Sequence, residues 1–180
     1  MSYRARWDLS ANPKSLKQYR YASGDAPAIG DLMWYDRRGV SGVAGGCARP
    51  FSSTSAWTGS TAGSQAKVAE AFLGVCQSVD TVNLLCSITG RGVVGMPTDT
   101  PYTFDVGDLI VPVKDPSGNL LYSQVVAKGT VTGPQDFNSL SREIAIGKAH
   151  KRYAAVSGVV EFEICGIHES GAGPRQFLTS

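Results

Sequence analysis

Charge is what this sequence has least of. Asp, Glu, Lys and Arg make up 18% of its 180 residues, against ~25% in ordinary globular chains. The net charge of +2 and the pI near 8.4 lack the basic surplus that nucleic acids or anionic membranes select. There are only two histidines, His150 and His168, and neither lies in a metal-binding motif. Of the four cysteines, Cys47, Cys76, Cys86 and Cys165, none forms a C-x-x-C pair, and their spacings fit no zinc ribbon. Cys76 and Cys86 lie in apolar runs, where thiols behave as small hydrophobes, so all four are expected to be reduced. No run approaches the ~18 apolar residues of a membrane span. The stretch Met1–Arg20 is basic but has no apolar segment of the signal-peptide type, which points to synthesis and assembly in a cytosol. A G-x-S-x-G elbow is lacking. The letters GRGVVG at Gly90–Gly95 run into Met96-Pro97 rather than a helix, so they are not a dinucleotide fingerprint.

Glycine is abundant, at 21 residues, and Ser and Thr are frequent, a composition of strands and turns. One phrase occurs twice: IGDLMWYDRRG at Ile29–Gly39 and VGDLIVPVKDPSG at Val106–Gly118. Each is an aliphatic residue, then Gly-Asp-Leu, then an apolar run, then Asp-x-x-Gly. Gly-Asp reads as a tight turn feeding a strand, and Asp-x-x-Gly as a hairpin turn. The second copy is longer by two residues, which preserves the alternation of faces. Leu32 and Trp34 should share the inward face in the first copy, and Leu109, Val111 and Val113 in the second. Pro112 cannot donate a ladder hydrogen bond, so its strand is expected at an edge or beside a bulge. Downstream, Leu73–Cys76 and Ile146–Ala149 both read aliphatic-Gly-x-small. The joint pattern suggests a degenerate two-fold repeat, residues 27–88 and 89–167.

The reading of the whole chain is mainly β: a small barrel or sandwich-like body over residues 27–167, with one short helix. An extended arm precedes it at residues 1–26 and a tail follows at residues 168–180. Residues 41–63 form a long Gly/Ser/Thr-rich loop. The spacing of Ala66, Ala69, Phe72 and Leu73 predicts the helix over Ser64–Leu73, ended by Gly74. Strands are expected at Val82–Ile88, Val93–Met96, around Tyr102 and Phe104, at Leu120–Ala127, at Ile144–Ala149 and at Val156–Ile164. In the last, Val160, Phe162 and Ile164 alternate with Glu161 and Glu163.

Candidate chemistry is sparse. Asp31 and Asp108 are explained as turn residues. The basic cluster Lys148 to Tyr153 reads as a solvated strand end. The arm is the strongest candidate for partner binding, because Arg4, Arg6, Lys14, Lys17 and Arg20 surround Trp7 and Tyr19, the residue types that anchor interfaces. No catalytic, cofactor-binding or metal-binding residue is assigned.

The segments at Met96-Pro97, Val106–Val111, Gly118, Ile146–Ala149 and Val159–Ile164 together resemble the head decoration, or cement, proteins of tailed bacteriophages. That resemblance implies a β-barrel-like fold on the outer capsid surface and no enzymatic activity. The major capsid protein would be the partner, with further copies of the chain as trimers, and neither nucleic acid nor membrane would be bound. The location would be the virion, after assembly in the host cytoplasm. The alternatives are another minor head or tail component, or a small β-barrel domain with binding or enzymatic activity.

Overall fold

The computed structural model describes residues 16–36, 46–52, 71–113, 123–129, 145–156 and 158–165. The chain is mainly β, with a curled, half-barrel sheet. Five strands make the first sheet: β1 (Leu16–Arg20), β2 (Leu32–Asp36), β3 (Cys47–Pro50), β4 (Phe72–Asp80) and β5 (Leu85–Thr89), in the order β1-β5-β4-β2-β3. The second contains β6 (Arg91–Pro97), β8 (Leu109–Pro112), β9 (Val126–Lys128), β10 (Gly147–Ala149) and β12 (Val159–Cys165), in the order β6-β12-β10-β8-β9. A two-stranded ribbon joins β7 (Tyr102–Phe104) to β11 (Tyr153–Val156).

The two orders are the same once β1, β2, β3, β4 and β5 are matched to β6, β8, β9, β10 and β12. The match extends to register. Leu16, Lys17, Tyr19 and Arg20 pair with Thr89, Ile88, Cys86 and Leu85. Val93, Val94, Met96 and Pro97 pair with Glu163, Phe162, Val160 and Val159. Residues 16–36 therefore match residues 93–113 in strand register and spacing without a gap, although β7 has no strand counterpart in the first unit. Beyond the strands, the Tyr21 amide donates to the Leu84 carbonyl as the Thr98 amide does to Gly158. The Phe51 amide donates to Leu32 as Gly129 does to Leu109. Among the described residues, the two sheets are thus one β unit built twice, and the match already holds at Leu16.

Directly paired residues share a face. In the first unit Leu32, Trp34, Phe51, Phe72 and Val75 face the main core. Their counterparts in the second unit are Leu109, Val111, Gly129, Ala145 and Lys148. Leu109, Val111 and Ala145 instead form a separate small cluster with Ala127. The second unit enters the main core with its other face, through Val94, Met96, Ile110, Val126, Ile146, Ala149, Val160 and Phe162. The first unit's counterparts on that face, Met33, Ala48, Leu73, Cys76, Cys86 and Ile88, make a second cluster with Tyr21. The units are stacked front to back. On the corresponding face of the second unit the side chains are smaller: Val111 stands for Trp34, Gly129 for Phe51 and Ala145 for Phe72.

Several expectations are corrected. Ile110, not Leu109 and Val111, points into the main core, because the second unit presents the opposite face of the same strand. Strand β8 is interior, between β10 and β9, and Pro112 is tolerated as its last residue. Phe72 and Leu73 belong to β4 rather than to a helix; residues 64–70 of that expected helix lie outside the described residues. Val82 and Leu84 lie in the β4–β5 turn, so the strand starts at Leu85. Of the expected strand Leu120–Ala127, Val126 and Ala127 are in β9, residues 123–125 precede it, and residues 120–122 lie outside the described residues. The expected arm is paired into the sheet from Leu16 to Arg20, and Tyr21 is buried. Within the expected loop 41–63, Cys47–Pro50 form β3 instead; residues 41–45 and 53–63 of it, the hairpin turns at residues 37–39 and 115–118 and the tail 168–180 lie outside the described residues.

Two equivalent glycines hold the sheets together at close approach. A Cβ on Gly74 would lie 1.9 Å from the Thr89 carbonyl oxygen, and one on Gly147 would lie 2.3 Å from that of Glu163. Gly74 also has φ +138° at the β-bulge where Leu73 is the extra residue. We expect Gly74→Ala to cost roughly 2–4 kcal/mol in urea unfolding, combining overpacking with left-handed strain. Gly147→Ala should cost somewhat less, and Gly24→Ala, which meets nothing within 4 Å, should be near neutral. Equal midpoints for Gly74→Ala and Gly24→Ala would contradict this register.

Candidate functional site

The repeated Gly-Asp phrase builds the same device in each unit. Ala28-Ile29-Gly30-Asp31 is a type II turn: the Asp31 amide donates to the Ala28 carbonyl at 3.1 Å, and Gly30 has φ +98°. Asp105-Val106-Gly107-Asp108 repeats it, with the Asp108 amide 3.1 Å from the Asp105 carbonyl and Gly107 at φ +89°. Each Asp closes its own turn. Asp31 Oδ2 accepts from the Ala28 amide at 2.7 Å, and Asp108 Oδ2 from the Asp105 amide at 2.8 Å. Each turn is then locked to the neighbouring strand. The Gly30 amide donates to the Cys76 carbonyl and the Cys76 amide to the Asp31 carbonyl, both at 2.9 Å; likewise the Gly107 amide donates to the Ala149 carbonyl at 3.0 Å and the Ala149 amide to the Asp108 carbonyl at 2.8 Å. The turn role read for Asp31 and Asp108 is what the geometry gives. The aliphatic residue at the tip is exposed in both: Ile29 at 59% and Val106 at 71%.

The surroundings of the two aspartates differ. Asp31 Oδ1 accepts from Gln124 Nε2 at 2.8 Å, and the adjacent Leu32 amide donates to the Ser123 carbonyl. Ser123 also donates to Ser52 Oγ. This short stretch before β9 straps the second unit onto the first. Asp108 Oδ2 instead lies 2.6 Å from Lys128 Nζ, which donates to the Thr103 carbonyl and sits 5.7 Å from the Phe104 ring centroid.

A buried ion cluster is present in the first unit alone. Arg49 makes two hydrogen bonds of 2.9 Å to Asp25 and approaches Asp36 Oδ2 at 3.5 Å, under the Trp34 ring at 5.8 Å. Burial works against the guanidinium's charge, but the hydrogen bond and charge of Asp25 outweigh it and raise its pKa. In the second unit the matching positions are Tyr102, Ala127 and Val113. The cluster therefore ties the Ala22–Ala28 loop to β2 and β3 rather than serving chemistry shared by both units. Nothing in local periodicity marked it; a lone Arg in the otherwise apolar run CARPF was the available signal.

Of the residues expected to bind a partner, Lys17, Tyr19 and Arg20 lie on β1, while Arg4, Arg6, Trp7 and Lys14 lie outside the described residues. Tyr19 packs on the Met33–Ile88 cluster, its ring 6.3 Å from that of Tyr35. Lys17 is half-buried on the same face as Tyr19, and Arg20 is exposed on the opposite face of the strand. The basic cluster is a paired strand end: Lys151 contacts Glu161, Arg152 Nε lies 3.2 Å from Asp105, and Tyr153 Oη accepts from the Glu161 amide.

Cys47, Cys76 and Cys86 are free and buried. The Cys76 thiol donates to the Ser78 carbonyl and the Cys86 thiol to that of Tyr19; the proximity of the two thiols lowers the pKa of Cys76 and raises that of Cys86, and burial raises the latter further. Burial likewise pushes the Cys47 thiol up. Among the described residues, no three His, Cys, Asp or Glu side chains cluster as a metal ion requires, and no helix is long and apolar enough to cross a membrane. Neither a protein-family model nor a curated protein matches the chain.

Two measurements follow. Arg49→Met leaves Asp25 and Asp36 buried without their cation and should cost ~3–5 kcal/mol in denaturant unfolding; a loss below ~1 kcal/mol would show that solvent reaches the cluster. Alkylation of the native chain should leave Cys47, Cys76 and Cys86 unlabelled at neutral pH. In denaturant without reductant, all four cysteines should label, and two or fewer would contradict the free-thiol assignment.

Proposed function

We propose that the protein is a structural component of a tailed-phage virion. It binds the outer surface of the assembled capsid and stabilises it by bridging neighbouring subunits of the major capsid protein, with copies of the chain grouped as trimers. The observation that supports this best is the construction itself: one β unit built twice, stacked front to back, with the turn motif retained in both. The described ionisable groups with close partners are engaged in the turns, the Asp25–Arg49–Asp36 cluster and the strand-end ion pairs, which is the economy of a scaffold. The basic, aromatic residues Arg4, Arg6, Trp7 and Lys14 adjoin β1 in sequence, and β1 is the end strand of its sheet among the described residues. A protein that binds the closed shell and not its loose parts stabilises that shell by mass action, and many weak contacts sum by avidity.

The test uses the chain and empty shells assembled from a major capsid protein of the same genome. The full chain should co-sediment with assembled shells and raise their disruption temperature. Deleting residues 2–15, which leaves β1 intact, should preserve thermal unfolding of the isolated protein and weaken shell binding at least tenfold. Deleting residues 2–20 should also lower the melting temperature, because it removes a sheet strand. If the full chain fails to bind shells, the proposal is wrong; if the 2–15 deletion binds as well as the full chain, the arm has no part in it.

A further inference from the structure

The two type II turns carry a feature that folding does not require. Across the gapless match of residues 16–36 with 93–113, the units agree in identity only at Gly30/Gly107, Asp31/Asp108 and Leu32/Leu109. Gly supplies the positive φ, Asp closes the turn and Leu is buried. The position before them is a β-branched aliphatic residue in both, and it is exposed in both. The first central position of a type II turn favours Pro and accepts polar residues, so neither turn chemistry nor burial accounts for an exposed Ile29 and an exposed Val106. Each is presented rigidly, because its turn is closed by a carboxylate and locked to the next strand.

Their placement bears on what they contact. The Ile29 turn is strapped to Gln124, ahead of β9. The Val106 turn opens β8 beside Lys128, at the far end of the antiparallel β8–β9 pair. One rigid body therefore offers the same apolar knob at two separated points. A partner that offers the same pocket twice, at neighbouring copies of one lattice-forming protein, is the complement of that arrangement. A lipid surface offers no pair of matching pockets, and the Asp105 carboxylate beside Val106 is paired with Arg152 and does not decide between them.

We infer that Ile29 and Val106 are the paired anchor residues of the protein, each seated in an apolar pocket on one of two adjacent capsid subunits. This rests on the proposed capsid binding and names the contacts by which it bridges.

The experiment compares the full chain with Ile29→Ser, Val106→Ser, the double variant and Val82→Ser in binding to assembled shells. Val82 is 87% exposed in the β4–β5 turn and controls for general stickiness. All four variants alter exposed positions and should melt like the parent. Each single knob variant should lose roughly ten- to a hundred-fold in affinity, the range for one buried aliphatic side chain. The double variant should lose more than either, because bridging is gone, and Val82→Ser should bind normally. Parent-like binding by the double variant, while the parent binds, overturns the inference and leaves capsid binding standing. Failure of the parent to bind overturns both. Flotation of the parent with phosphatidylcholine–phosphatidylserine vesicles, abolished in the double variant, would assign the knobs to lipid instead.

Discussion

Everything in this fold depends on the hydrogen-bonded turn made by Gly-Asp. The carboxylate of Asp31 or Asp108 closes the turn on itself, and the flanking backbone locks it to Cys76 or Ala149. A strand that leaves such a lock has its register decided before its own side chains contribute. The interior of the ladder then requires Gly74 and Gly147, where the neighbouring carbonyl leaves no room for a Cβ. Because an off-by-one register would turn every side chain to the opposite face, the lock is worth more than its individual hydrogen bonds.

Identical registers do not impose identical environments. The face that carries Trp34, Phe51 and Phe72 lies in the main core in the first unit; in the second, the same face carries Leu109, Val111 and Ala145, which are buried in a small cluster of their own. Lys148 and Glu163 stand on that face where the first unit has Val75 and Thr89, so it is the more polar of the two. The buried Arg49 cluster is the converse case: an ionic solution in one unit at positions that are apolar in the other, consistent with buried ion pairs and apolar groups being near-equivalent choices.

Much of this was legible in the residues. The Gly-Asp-Leu phrase, the matching Leu73–Cys76 and Ile146–Ala149, and the alternation of Val160, Phe162 and Ile164 all correspond to the strands and turns they suggested. The inward face of the second copy was not legible, because LIVPV is apolar on both sides and alternation cannot choose between two buried faces. Strand β1 was hidden by its polar composition, since Leu16, Gln18 and Arg20 face outward from an edge and only β5, far along the chain, completes the pair. Phe72 and Leu73 looked helical beside Ala66 and Ala69; the ladder with β2 overrode that local spacing. For the candidate site, the basic and aromatic content of the arm was visible, whereas the exposed tips Ile29 and Val106 became meaningful once the turns had been superimposed.

The central claim is that one β unit is repeated and stacked front to back, and side-chain NOEs of Ile110, Leu109 and Val111 test it most directly. The account predicts contacts from the Ile110 methyls to the cluster of Leu32, Phe51 and Phe162, and from the Leu109 and Val111 methyls to Ala127 and Ala145. Contacts from Leu109 and Val111 into the Leu32–Phe162 core, with Ile110 directed away from it, would contradict it.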